Sequence, residues 1–288
     1  MPVPTYETIT YEQSDGVAVI TLNRPEVLNA VNERMGQELL QALTAAEKDP
    51  EVRCLVITGK GRAFCAGEDI QALRAQYERG ENPKLGRRLL YKYNPIILKI
   101  RHMEKPVIAA VNGATAGAGA GIAYSCDIRI ASDTAKFLQA FIRIGLAPDS
   151  GTSFFLPRLV GFAKAMELAL TGDEVTSKDA ERLGLVSKAI PADQLMQETI
   201  GLARKFAAGP TKGLVLTKRA LNKSISVDLD EDLQYESYLQ EIAGATSDHV
   251  EAVKAFFEKR KTNLQREIID WSFPLGTLRF VRVIWIGL

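Results

Sequence analysis

Apolar and polar positions along the chain follow two rhythms that trade places at short intervals. Residues 6–22 alternate and then run apolar at Val17-Ala18-Val19-Ile20-Thr21-Leu22, the pattern of a hairpin whose turn is Ser14-Asp15-Gly16. Asn23-Arg24-Pro25 breaks it. Met35, Leu39, Leu40 and Leu43 then recur at helical spacing, with Asn32 placed to cap a helix that runs to about Lys48 and stops at Asp49-Pro50. Cys54-Leu55-Val56-Ile57-Thr58 predicts a buried strand ending in Gly59-Lys60-Gly61. Residues 62–70 read as a loop leading into a helix. A polar insert over 76–88 is expected to be mobile, and a helix is expected over 89–102.

The stretch 106–149 is the centre of the pattern. Val107-Ile108-Ala109-Ala110-Val111 is short and β-branched enough for a strand buried on both faces. Asn112-Gly113 turns the chain, 114–124 is almost wholly Gly and Ala, and Ile128-Arg129-Ile130-Ala131 reads as the next strand. Gly113, Gly117 and Gly121 recur every fourth residue, so a helix here would carry them along one face, open to a close backbone or a ligand. Its first-turn N–H groups would point out of the strand-to-helix turn. A phosphate loop and a dinucleotide fingerprint both fail on spacing, because Gly117-Ala118-Gly119-Ala120-Gly121 has the wrong period. A tightly packed core helix and an oxyanion hole both stay open on this stretch alone.

Strand and helix alternate up to residue 149, which argues for an α/β core with mostly parallel pairing. Beyond it the pattern turns helical, over 163–170, 177–182, 194–207, 212–222, 229–243 and 248–261. The organisation expected is a core over 5–204, a helical C-terminal region over 205–264 and an atypical tail over 265–288. The tail carries Trp271 and Trp285, and its apolar run is interrupted by Arg279 and Arg282, too short and too charged for a membrane span. A partner-binding segment and a non-native or frame-shifted end are both readings of it, and it is set aside from the fold.

Composition narrows the chemistry. Charged residues make up 25% of the 288, nearly balanced at net +1, so nothing draws the chain to nucleic acid or an anionic membrane. The first residues lack a basic-then-apolar signal pattern, and Cys54, Cys65 and Cys126 are too scattered for a disulfide framework or a zinc site. A cytoplasmic setting is the expectation. The two histidines, His102 and His249, fall at charged helix ends. That disfavours a Ser-His-Asp triad and a His-ligated metal, and leaves carboxylates and backbone amides to carry any chemistry.

Five motifs in order resemble the enoyl-CoA hydratase/isomerase (crotonase) superfamily. Asn23-Arg24-Pro25 with Asn29-Ala30 is similar to its early CoA-contacting loop, and Phe64-Cys65-Ala66-Gly67-Glu68-Asp69-Ile70 to its second loop. Residues 106–127 resemble its Gly-rich oxyanion segment. Leu170-Thr171-Gly172 with Ala180, Gly184, Leu185 and Val186 resembles a later signature, and Ala255-Phe256-Phe257-Glu258-Lys259-Arg260 the C-terminal helix that closes over CoA. The resemblance covers roughly residues 5–264. It implies an α/β spiral of repeated ββα units with a helical C-terminal trimerisation region, assembled as a homotrimer or a dimer of trimers. It implies no cofactor, coenzyme A entering as part of an acyl-CoA thioester substrate, and no metal.

The same resemblance assigns the oxyanion amides to the Glu68 and Ala118 N–H groups. It places Arg24, Leu28, Ala30, Ala66, Gly67, Asp69, Ile70, Phe141, Phe256 and Lys259 against the substrate. Cys65, beside this site, reads as packing. The two glutamates of the family's hydratases map onto Gly121 and Phe141, so hydration lacks its acid and base. A dehalogenase-like branch with an aspartate nucleophile resembles 145–153, but its histidine base maps onto Asn94. Asp149 is left. Its position after Pro148 and before a short helix suits an N-cap. Isomerase branches of the family, including ring-epoxide isomerases of phenylacetate breakdown, carry a lone acidic residue there. The resemblance therefore implies an acyl-CoA isomerase using Asp149, with Phe141 and Phe154 as an apolar wall that raises its pKa. A hydratase and a catalytically silent acyl-CoA binder or scaffold are the alternatives.

Overall fold

Asp15 and Gly16, both at positive φ (53° and 77°), close a two-residue turn between strands β1 (Ile9–Ser14) and β2 (Val17–Leu22), pairing Ser14 with Val17. The computed structural model describes residues 5–264. Asn32 caps α1 (Glu33–Lys48) by accepting a hydrogen bond from the Met35 N–H. One unit then repeats. β3 (Cys54–Gly59) and β4 (Ala63–Cys65) lead to α2 (Ile70–Glu78), α3 (Leu85–Arg88) and α4 (Asn94–His102). β5 (Val107–Val111) and β6 (Ala114–Ala116) lead to α5 (Ala118–Ser125), and β7 (Ile128–Ser132) and β8 (Lys136–Leu138) to α6 (Thr152–Val160) and α7 (Phe162–Thr171). After these come β9 (Glu174–Thr176), α8 (Ser177–Arg182) and β10 (Lys188–Ile190).

In each repeat the long strand joins a six-stranded sheet ordered β1-β2-β3-β5-β7-β10, and the short strand joins a second sheet ordered β4-β6-β8-β9. From β2 onward the large sheet is parallel. The result is the α/β spiral of ββα units that the motifs imply. Its central strands are apolar throughout because both faces are covered. Leu55, Ile57, Val107, Ala109 and Val111 pack into one core with residues of α1, α4 and α5. Cys54, Val56, Ile108 and Ala110 pack into another, covered by Leu195, Ala203 and Ala207 of α9 (Leu195–Ala207).

Two expectations need correction. The Gly/Ala stretch is not one helix: Ala114–Ala116 is a strand paired in parallel with both β4 and β8, and Gly117, at φ 52°, turns the chain into α5. Gly113 and Gly117 therefore lie outside the helix and share no face with Gly121. The loop over 62–70 contains β4. The polar insert over 76–88 is helical at both ends, and the helix after it opens as a π turn over Leu89–Tyr93, where the Asn94 N–H bonds the Leu89 carbonyl. Pro95 has no N–H to keep the α register there.

The later periodic stretches become α7 to α9, then α10 (Thr211–Ser224), α11 (Leu229–Gly244) and α12 (Ser247–Phe257), with ends shifted by a few residues. α12 stops short of the expected residue 261. Among the described residues no helix is long and apolar enough to cross a membrane. The tail assigned to 265–288 lies outside the described residues.

Candidate active site

Two loops meet at the open end of the parallel strands. Pro25–Val27 form a 3-10 turn, after which Leu28 and Asn29 both take positive φ (55° and 56°). Buried Asn29 holds that backbone in place. Its Oδ1 accepts from the Arg24 N–H (2.9 Å), and its Nδ2 donates to the Lys60 (3.0 Å) and Ala63 (2.8 Å) carbonyls. Arg24 Nη1 donates to the Ala30 carbonyl (2.6 Å) and pairs with Asp69 Oδ2 (2.8 Å), while the Ala66 N–H bonds the Leu28 carbonyl (3.0 Å). Asp69 also caps α2 through the Gln71 N–H. Arg24, Leu28, Ala30, Ala66 and Asp69 are thus drawn into one knot, with Ile70 exposed beside it.

The second loop then crosses the first turn of α5. Val31 donates to the Gly67 carbonyl (2.7 Å) and accepts from the Asp69 N–H (3.2 Å). In such a parallel bridge the N–H of the intervening Glu68 points the other way. Gly67 lies so close to α5 that a Cβ on it would stand 2.9 Å from Ala116 O and 3.2 Å from Ala118 N. The Ala118 N–H, in the first turn of α5, has no intrahelical acceptor. The Gly67–Asp69 loop and the start of α5 therefore cross in backbone contact. Phe141 is buried beneath this turn, its ring 3.9 Å from where a Gly117 Cβ would be. Cys65 packs in the core, donates to the Asn29 carbonyl (3.2 Å), and has its thiol pushed up to about 12 by burial.

Asp149 is not an N-cap. The cap position of α6 is Gly151, at φ 78° and without a side-chain cap, and the Asp149 carboxylate accepts instead from the Ser150 hydroxyl (2.8 Å). Its main-chain carbonyl takes both the Thr152 N–H and the Thr152 hydroxyl (2.8 Å each), which frees the carboxylate from backbone duty. Burial raises its pKa above the ordinary aspartate value, the Ser150 hydroxyl pulls against that, and the charge of Glu68 adds to the rise. Phe141 supplies buried apolar surface nearby in the fold, whereas Phe154 is partly exposed with the Arg158 guanidinium 3.8 Å over its ring.

The sequence reading used Glu68 for its backbone alone and missed its side chain. That carboxylate accepts from Lys92 Nζ (2.7 and 2.9 Å), Arg88 Nη1 (2.9 Å) and the Tyr93 hydroxyl (2.6 Å). Lys92 and Tyr93 are adjacent in sequence and both buried, which a run rich in Arg and Lys gives no sign of. Phe256 and Lys259 are not brought to the loops: α12 packs on α11, and both side chains stay exposed. His102 and His249 are exposed, as read from the sequence.

The loop bearing Asp149, a carboxylate whose pKa burial raises, packs on the same helix, α5, where Ser150 meets Gly121. The chain belongs to the enoyl-CoA hydratase/isomerase (crotonase) family, whose profile matches residues 12–267. It is 41% identical over 254 residues to the 1,2-epoxyphenylacetyl-CoA isomerase of Escherichia coli K12, an alignment covering 88% of this chain and 97% of that protein. It is 43% identical over 256 residues to a Rhodobacter capsulatus protein described as "Probable enoyl-CoA hydratase", covering 89% and 97%. The crystal structure of an enoyl-CoA hydratase from Bacillus anthracis superposes with a TM-score of 0.85 at 31% identity, covering 91% of this chain and all of that one. This is a crotonase-family acyl-CoA enzyme.

Proposed function

We propose that the enzyme is an acyl-CoA isomerase, which shifts a double bond or rearranges a ring epoxide through a thioester enolate. Asp149 takes a proton from one carbon of the acyl group. The thioester oxygen, now carrying the negative charge, is held by the Glu68 and Ala118 N–H groups, each donor worth about 2.7–4 kcal/mol of barrier. Asp149 then returns the proton two carbons away, so one carboxylate suffices. Arg24, Leu28, Ala30, Ala66, Gly67, Asp69 and Ile70 form the wall against CoA, and Phe141 lines the acyl end.

The carrying observation is what occupies Gly121. A Cβ there would run into the Ser150 carbonyl and stand 2.9 Å from Ser150 Cβ, so the loop bearing Asp149 fills the space a hydratase glutamate needs. Phe141, at the other glutamate position, is buried and apolar. The likeness to the Escherichia coli isomerase supports the phenylacetate-type substrate. Identities of 43% and 37% to proteins described as hydratases keep hydration as the second reading.

Assembly as a homotrimer or a dimer of trimers belongs to the same proposal. Phe162, Leu170, Leu221, Leu229, Phe256 and Phe257 are large apolar side chains left exposed on α7 and the C-terminal helices, as expected of a surface that meets further copies. The region 205–264 would then serve assembly, and Phe256 and Lys259 would close over CoA within it.

The test is Asp149→Asn, assayed with unsaturated and aryl acyl-CoA thioesters alongside crotonyl-CoA hydration. Isomerisation should fall by roughly two to four powers of ten with acyl-CoA binding kept. Near-normal isomerisation by this folded variant would remove the base from the reading. Hydration of crotonyl-CoA by the wild type in the usual range of about 1–1,000 per second would replace it with the hydratase. Unchanged spectra for every thioester bound would leave a silent binder.

A further inference from the structure

The Glu68 side chain sits in a site built for it. The Lys92 side chain is only 2% exposed, yet its ammonium reaches Glu68. The stem gets there by crossing α1 at Gly36, where a Cβ would lie 2.7 Å from Lys92 Cγ, so a glycine keeps the channel open. The π turn over Leu89–Tyr93 lets two consecutive residues, Lys92 and Tyr93, meet the same carboxylate oxygen at 2.7 and 2.6 Å. Arg88 joins from the same helical run and bridges onward to Gln76 of α2 (2.9 Å). A surface ion pair of convenience would not need this clearance.

The cluster also reaches Asp149 by two routes. Gly67, next to Glu68, lies against Ala118, and Ser150, next to Asp149, lies against Gly121, so the backbones that carry the two acids pack on a single turn of α5. Tyr93 and Ile97 share one face of the helical run, and Ile97 packs on the turn after Asp149, 3.3 Å from where a Gly151 Cβ would be. We propose that the Glu68 carboxylate, tied to Lys92, Arg88 and Tyr93, is a positioning residue for proton transfer, which seats the Asp149 loop against the oxyanion segment and holds a second negative charge facing it. This rests on Asp149 being the base.

Among the described residues, Glu68 and Tyr93 act electrostatically with Asp149, and the charged groups on the neighbouring helices are engaged elsewhere. Glu68 comes from the second loop, with Arg88 and Lys92 behind it, and Tyr93 from the π turn. On α4, Arg101 lies 5.5 Å over the Phe155 ring, and on α6 Arg158 covers Phe154. Tyr93, its pKa raised well above the usual by burial and by Glu68, stays a neutral hydrogen-bond donor. Glu68 raises the proton affinity of Asp149, in line with the placement.

The experiment is the pH dependence of kcat/KM for isomerisation in the full-length wild type, Glu68→Gln, Arg88→Gln and Tyr93→Phe, with Asp149→Asn as reference. Every variant keeps the Glu68 N–H. Glu68→Gln should move the acid limb to lower pH and reduce kcat about 10–100-fold with KM nearly unchanged. Arg88→Gln, which leaves Glu68 less compensated, should move that limb to higher pH. Tyr93→Phe should lower kcat without moving the limb. Opposite displacements in the two charge variants are what a merely structural cluster cannot give. If Glu68→Gln does not fold, Arg88→Gln and Tyr93→Phe decide. Limbs that stay put, or move the same way, while Asp149→Asn is inactive overturn the positioning role alone. An active Asp149→Asn overturns it together with the isomerase reading.

Discussion

Gly121→Ala is the sharpest test of how the site is assembled. The added methyl would run into the Ser150 carbonyl oxygen and stand 2.9 Å from Ser150 Cβ. Restoring an ordinary contact of about 3.5 Å requires backbone movement on the order of 1 Å. The obstacle cannot easily yield, since Ser150 and Gly151 both sit at positive φ (50° and 78°) and the Thr152 N–H and hydroxyl both donate hydrogen bonds to the Asp149 carbonyl. Overpacking of this kind costs about 1–3 kcal/mol, and a rigid backbone neighbour argues for the upper end. Alanine returns about 0.8–1 kcal/mol of helix propensity, leaving a net loss of about 2 kcal/mol. Gly201→Ala is the control, a glycine inside α9 with open space at its Cβ, and it should stabilise by about 0.4–1 kcal/mol. Urea midpoints of the two variants should therefore move in opposite directions. Displacing the Asp149 loop by about 1 Å should also cost roughly 100-fold in isomerisation for Gly121→Ala alone. A Gly121→Ala enzyme as stable and as active as the wild type would refute the packing that excludes a glutamate here.

Other outcomes follow from the same geometry. Because burial raises the Asp149 pKa, isomerase activity should fall as pH drops through a value above the ordinary aspartate range, read from the acid limb of kcat/KM. The same shift means that the folded protein disfavours ionised Asp149. Asp149→Asn should accordingly be at least as stable as the wild type near pH 8, with the advantage vanishing as pH falls below the ordinary carboxylate range, measured by urea titration at several pH values. Asn29→Ala removes three hydrogen bonds in the first loop and should cost about 2–4 kcal/mol, with KM rising more than kcat falls. Deleting 266–288 should leave gel-filtration size and CoA binding unchanged, since the family match reaches only two residues into that segment.

The elements legible in the sequence were those set by a single local rule. The Asp15-Gly16 hairpin turn, the Asn32 cap and the double-sided burial of Val107–Val111 each follow from residue chemistry within a few positions. Period misled at Ala114–Ala116. Gly and Ala spaced by four fit a helix, but the strand there is fixed by partners at Ala63–Cys65 and Lys136–Leu138, about fifty and twenty positions away. The Glu68 cluster was invisible for a related reason. Glu68, Arg88, Lys92 and Tyr93 span twenty-five positions, and only the π turn and the path over Gly36 bring them to one carboxylate. Asp149 could be singled out from the family pattern, but its release from capping depends on Gly151 taking the cap position, a matter of backbone angle.

Backbone-to-backbone packing explains why the number of carboxylates, rather than their placement, separates the candidate reactions. The Cys65 carbonyl lies where a Gly119 Cβ would be, Ser150 lies where a Gly121 Cβ would be, and Gly67 lies against Ala118 N. Two segments, the loop through Cys65 and Gly67 and the one through Ser150, thus close on one turn of α5 mainly through backbone. Such contacts are short and have no rotamers through which to relax, so the proposed donors and base would be held in register by backbone packing. Preorganisation of this sort is what makes an N–H pair effective toward a developing oxyanion, because nothing need reorganise as charge appears. It also removes the space for a second acid on α5. On the proposed reading, a double-bond shift needs only the pair of donors and one carboxylate that can hold a proton between two carbons, the part given to Asp149, which is partly buried and free of the helix cap.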